Sequence, residues 1–154
     1  MPRLYFTGSR DRPLMISVDN AVGPGCPNHR ADVMLVQFML RVADASPANS
    51  SWWQIKEPRV LAIDGAFGEV TQSFIRFMQA QVGTTVQGGG KVAEDGRIHP
   101  IINTSMHGPK TGVLMMIVLL NLIYMAGTGS NDITSMQFHP LWPKQLNAGL
   151  QVRM

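Results

Sequence analysis

Four groups of residues have the types and spacing that chemistry requires. Asp64 and Glu69 are two carboxylates in one short stretch, the arrangement that a glycosidase sets on either side of a scissile sugar bond. Cys26-x-x-His29, together with His99, His107 or His139, supplies metal-ligating atoms, and the Cys26–His29 pair also has the composition of an activated thiol. Gly88-Gly89-Gly90-Lys91 has the glycines and lysine of a phosphate cradle. Trp52-Trp53 offers two indoles, which stack on the apolar faces of sugars.

Most of these have a plainer structural reading. Asp64 suits a turn and Glu69 the first turn of a helix, where a carboxylate complements the exposed N–H groups. The only other glutamates are Glu57 and Glu94. The Cys26 set lacks a second close pair of ligands and carries Pro27 between its two members. GPGCPN has no strand-turn-helix context for a nucleophile, and GGGK lacks the Walker spacing, so it reads as a hairpin tip. The expectation is a protein that is not an enzyme, with no cofactor and no metal. Trp52-Trp53 keeps its ligand character, although anchoring of a long loop or an interface hot spot explains it equally well.

Composition narrows the partners. Of 154 residues, 45% are apolar and 15% charged, and 13 basic against 10 acidic residues give a net charge of +3. The arginines are scattered without a run or a stripe, which excludes a nucleic-acid footprint. A poorly charged surface favours cover by a protein partner. Cys26 is the single cysteine, so no internal disulfide forms. The stretch MPRLYFTGSRDRPLM has no unbroken apolar core, so no signal peptide is read and cytoplasmic synthesis is expected. The apolar run Val113 to Ala126 is shorter than the ~20 residues of a spanning helix and contains Asn121 and Tyr124. It predicts a buried helix and no membrane span.

The elements that must position these residues follow from pattern. RLYF and LMISV flank a turn-rich GSRDRP and predict a hairpin over 3–18. Val22 to Asn28 reads as a loop. A first helix is predicted from about Ala31 to Ala43, with Asp32 in its first turn, followed by an irregular segment to Pro58. A second helix starts just after Gly68 and stops at Gly83. A third runs roughly from Thr111 to Met125 and ends at Gly127, and Thr128 to Met154 reads as coil. IDGAFG at Ile63–Gly68 is echoed by EDGRIH at Glu94–His99, and both are acidic-Gly turns.

These residues resemble a known family. Val33, Val36, Gln37 and Leu40 match the V-x-x-(L/V)-Q-x-x-L of the first helix of the peptidoglycan-binding-like domain. Asp64, Gly65, Phe67, Gly68 and Thr71 match its DG-x-F-G-x-x-T turn, and Ile75, Gln79 and Gly83 fit its second helix. The resemblance spans roughly Asn28 to Pro100. Met78 stands where the family has an aromatic, and His99 and Ile102 where a second turn would have glycine and threonine. The resemblance implies a small three-helix bundle found beside bacterial cell-wall enzymes. Turn chemistry supports this fold by itself: Asp64 accepts backbone N–H bonds, Gly65 and Gly68 permit positive φ, and Thr71 helps satisfy the helix start.

The bundle leaves apolar residues over. With Val33, Val36 and Leu40 inward, Met34, Leu35, Phe38, Met39 and Val42 still require cover, as do Phe77 and most of the third helix. Either residues 1–27 and 128–154 wrap these faces, or a partner covers them through Met34, Phe38, Phe77 and Met116.

The reading is a mainly α fold: a peptidoglycan-binding-like helical domain over 28–127, an N-terminal extension with a hairpin over 1–27, and a coil tail over 128–154. Its expected role is a structural or adaptor component of a phage tail or contractile injection machine. Its partners would be other proteins or copies of itself, with cell-wall contact through Trp52, Trp53, Asp64, Phe67 and Gln37. The alternative is a stand-alone module binding glycan or stem peptide alongside a peptidoglycan hydrolase.

Overall fold

The computed structural model describes residues 1–6, 14–45, 59–85, 91–101, 113–114, 116–130, 132–149 and 151–153. Two short β-favouring runs open it. β1 (Arg3–Phe6) and β2 (Leu14–Ser17) pair antiparallel, with Leu4 opposite Ile16. Three α-helices follow: α1 (Arg30–Ala45), α2 (Glu69–Thr85) and α3 (Met116–Thr128). Between α2 and α3, β3 (Lys91–Val92) and β4 (Val113–Leu114) form a small parallel pair. The chain is mainly helical, with a small sheet built on the N-terminal hairpin, as its pattern predicts.

α1 is the centre of the molecule. Asp32 through Leu40 are all buried, so this helix has no solvent face over its middle turns. Its start is tied to the hairpin exit by Asp32, whose carboxylate oxygens accept the backbone N–H of Asp19 at 2.8 Å and of Asn20 at 3.1 Å. α3 packs on α1 and on β2. Asn121, the polar residue inside the apolar run, faces β2: Oδ1 accepts Ile16 N–H at 2.8 Å, and Nδ2 donates to the Ile16 and Ile117 carbonyls. On the same strand, Ser17 Oγ accepts Ile101 N–H at 2.8 Å.

Element boundaries depart from the pattern in two places. The apolar run is not helical from its beginning, because Val113 and Leu114 pair with Lys91 and Val92 and the helix begins at Met116. α2 continues through Gly83 to Thr85, since glycine lowers helix propensity by only ~1 kcal/mol. Among its described residues after α3, the tail forms two 3-10 helices, Ile133–Phe138 and Lys144–Gly149, and β5 (Gln151–Arg153), which runs parallel to β1.

That tail answers the question of the surplus apolar residues. Ile133, Met136, Trp142 and Leu146 are buried in the same core as α1 and α3. The Trp142 ring meets Phe38 edge-on, with centroids 5.0 Å apart, and His139 meets it at 5.5 Å. Tyr124 of α3 closes the cluster at 6.1 Å from Phe38. Met34, Phe38 and Met116 are therefore interior residues that present no surface to a partner: the tail covers Phe38, and Met34 lies beside the Gly65 turn. Of that group only Phe77 is partly exposed.

Candidate functional site

The site is built from glutamines on two helices. Gln37, mid-way along α1, is 1% exposed, so its amide must find partners inside the protein. It finds them in the turn after Ile63. Oε1 accepts the N–H groups of Asp64 at 3.1 Å and Gly65 at 2.9 Å. Nε2 donates to Asp64 Oδ1, the Ala66 carbonyl and Thr71 Oγ1, at 3.0, 3.0 and 3.1 Å. Asp64 Oδ1 in turn accepts Ala66 N–H at 2.8 Å.

Gln79 on α2, also 1% exposed, does the same at the second turn. Its Oε1 accepts Gly96 N–H at 2.8 Å, and its Nε2 donates to the Arg97 carbonyl at 2.9 Å and to Asp95 Oδ1 at 3.4 Å. Asp95 Oδ1 accepts Arg97 N–H at 2.9 Å. The glycines match too, with φ of 76° at Gly65 and 73° at Gly96, a region costly for residues with a Cβ. A Cβ at Gly65 would lie 2.9 Å from Met34 Cγ, and one at Gly96 would lie 3.2 Å from Arg76 Nε. Met34 and Arg76 each sit one helical turn ahead of the clamping glutamine. The echo between IDGAFG and EDGRIH is thus a repeat of structure at the turn, to which Gln37 adds bonds with the Asp64 N–H and Thr71 Oγ1 that Gln79 lacks.

The two turns differ in what lies against them. Beside the first is a shallow groove of about 390 Å³, walled by Arg59, Val60, Leu61 and Ala62 on one side and by Ala66, Gly68, Val70 and Thr71 on the other. Arg59 and Glu69 face each other at 3.6 Å as an exposed ion pair. Val60 is 70% exposed. The second turn is covered by the loop after β2. Val22 and Ile98 exchange backbone hydrogen bonds of 3.0 and 2.7 Å, and Arg97 Nε donates to the Pro24 carbonyl at 3.0 Å. His99 Nε2 lies 3.1 Å from Asp95 Oδ2.

The chain matches no family model, no curated protein and no solved structure.

The structure brings Gln37 and Asp64 together, but turns them toward each other: with two bonds to Oε1 and three from Nε2, the Gln37 amide has no donor left over. Phe67 is half-buried against the core. Trp52 and Trp53 lie outside the described residues, as do His107 and Gly88 to Gly90. The Ala66 N–H, then the Gln37 amide, hold the Asp64 carboxyl below the usual carboxylate range. At neutral pH it is ionised, whereas a glycosidase's general acid needs a raised value. Burial opposes ionisation of Asp95, but the Arg97 N–H and His99 outweigh it and lower this carboxyl as well.

Other sequence candidates separate. Cys26 Sγ sits 3.7 Å from the Pro24 carbonyl, while His29 Nδ1 lies 3.2 Å from the Asn20 amide. Among the described residues, no three His, Cys, Asp or Glu side chains group so as to hold a metal, and no helix is long and apolar enough to cross a membrane.

Two predicted details change. Gly68 has no positive φ: its carbonyl accepts Gln72 N–H at 2.9 Å, so it serves as the residue that opens α2. Thr71 serves the Gln37 amide, not a free N–H at the helix start. Sequence reasoning missed the groove wall at Arg59 to Ala62 and the clamping role of Gln79. The signal for the latter was present, since Gln79 precedes the second Asp-Gly turn as Gln37 precedes the first.

Proposed function

We propose that the chain is a non-catalytic module of the peptidoglycan-binding-like type, acting as a structural or adaptor component of a larger bacterial or phage assembly, such as a phage tail or contractile injection machine. One observation carries this reading: the polar groups of Gln37, Asp64 and Thr71, which resemble the family's motif, are consumed in holding the turn. Gln37 and Asp64 bond to each other and to the backbone, and Gln79 and Asp95 repeat the arrangement, so both turns act as rigid corners. Among the described residues, contact is open at the groove rim at Val60 and at the apolar residues the tail presents outward, Phe138 at 81% exposure and Leu141. Exposed apolar side chains on an otherwise well-covered core favour a protein partner.

The second reading, a wall-binding module for glycan or stem peptide, is supported by the groove beside the first turn, which an exposed ion pair and apolar walls make amphipathic.

Sedimentation with purified insoluble peptidoglycan, paired with light scattering, tests both. The assembly component stays in the supernatant and self-associates as concentration rises. The wall-binding module pellets with the sacculi, and Trp52→Ala with Trp53→Ala releases it. A monomer at all concentrations that ignores sacculi overturns both readings.

A further inference from the structure

The two Asp-Gly turns are built on the same frame, yet among the described residues only the second is filled, and it shows what the first is shaped to take. At the second turn, the residue two places beyond the glycine is Ile98. Its N–H donates to the Val22 carbonyl at 2.7 Å and its carbonyl accepts Val22 N–H at 3.0 Å, a single antiparallel β-bridge with the segment Ala21–Gly23. With Val22 in place, Ile98 is fully buried. Close approach is possible because the next residue is Gly23, where a Cβ would stand 2.7 Å from the Gly96 carbonyl.

The equivalent residue at the first turn is Phe67. No described residue bonds to its N–H or its carbonyl, and its side chain is half-exposed where Ile98 is enclosed. Ala66 and Gly68, on either side of it, line the 390 Å³ groove. The turn itself is as rigid as its twin, so an incoming strand meets a backbone already in place, and association loses little to ordering.

We infer that the backbone of Phe67 is a docking edge for an extended peptide, which pairs with it as Val22 pairs with Ile98. The occupant is a strand from a protein partner with an apolar residue opposite Phe67 and glycine after it. The apolar side chain would cover the exposed part of Phe67, and the glycine would let the two backbones close, as Gly23 does over Gly96. Main-chain bonds supply affinity and the apolar residue supplies selectivity, the usual division when a strand is added to an open edge. This goes beyond both readings above, because it concerns the turn and holds whether or not the module touches the cell wall.

The test uses the full chain, labelled with 15N, and a synthetic peptide DNAVGPG, which copies residues 19–25. Saturable shifts of the Ala66, Phe67 and Gly68 amides at millimolar peptide are expected. The same peptide with N-methylvaline, which lacks the bridging N–H, should bind about ten-fold more weakly, the worth of one net hydrogen bond. Equal response to both peptides, shifts confined to Val22 and Ile98, or no shift at Phe67 would each overturn the inference.

Discussion

Asn121 completes the outer edge of Ile16: its amide gives the strand residue both a donor and an acceptor, each at 2.8 Å, as a neighbouring strand would. A side chain on a helix thereby protects a sheet edge that lies inside the protein. Asn121→Leu keeps the branched shape and removes both partners from a buried backbone. The expected loss is about 2–4 kcal/mol, and a fall in Tm of 4 °C or more by circular dichroism checks it. A change within 1 °C would mean that water replaces the amide.

The glutamine clamps make a paired prediction. Gln37→Leu strips five hydrogen bonds from the first turn, and Gln79→Leu strips three from the second. Both are expected to destabilise by about 2–4 kcal/mol in urea unfolding, Gln37→Leu the more. Equal midpoints would show that the extra bonds at the first turn carry no weight.

Gly65 and Gly68 look equivalent in the sequence and are expected to behave differently. Gly65→Ala places a Cβ against Arg30 at positive φ, and a loss of about 2 kcal/mol or more is predicted. Gly68→Ala meets nothing within 4 Å and should shift Tm by no more than a degree or two.

Acid sensitivity should come in two windows of the same sign. Burial depresses His139 below its ordinary 6.5, so the unfolded chain binds this proton more readily than the folded one. Its contribution to stability is complete above pH 6.5 and declines as pH falls through the lower folded value. The geometry gives a cause besides burial: His139 Nδ1 accepts Leu141 N–H at 3.1 Å, and protonation turns that acceptor into a donor. The groups packed on the ring are Phe38 of α1 and Tyr124 of α3, neither of them charged at this pH. The indole N–H resonance of Trp142, which donates to Asn147 at 2.7 Å, should move between pH 7 and 5 in the native chain and stay fixed in His139→Gln.

The second window includes Asp64 and Asp95, both lowered from 3.8 in the folded chain, as is Asp19 beside Arg3. Their stabilising effect is complete above pH 3.8 and disappears as pH falls through the folded values. Asp64→Asn with Asp95→Asn should flatten the stability curve between pH 4 and 2, read as the urea midpoint at each pH.

Legibility in the sequence followed the range of the interaction. The hairpin, the helices and both Asp-Gly turns depend on neighbours in the chain, and periodicity or turn chemistry exposes them. Gln37 and Asp64 were readable as members of a motif, but not as partners, because they stand 27 residues apart in the chain. The fate of Phe38 was undecided for the same reason. A surplus apolar residue on α1 shows only that something covers it, and Trp142 lies too far along the chain for any pattern to connect them. Asn121 was noted as an interruption of an apolar run, and only the position of β2 reveals its use.

The pairing of β5 with β1 governs when this protein can finish folding. Arg3 is opposite Gln151, so β1 waits for a partner strand that is translated long after it. At ~5–20 residues per second, synthesis leaves β1 open along that side for roughly ten seconds or more, a period in which a bare strand edge recruits other chains. The Asp-Gly corners close early, by contrast, since each glutamine meets its turn within a few dozen residues. Co-translational assembly of the corners followed by late closure of the sheet makes the yield of soluble protein depend on translation speed and chaperone supply, and a ribosome stalled before residue 151 would hold a clamped but unsealed bundle.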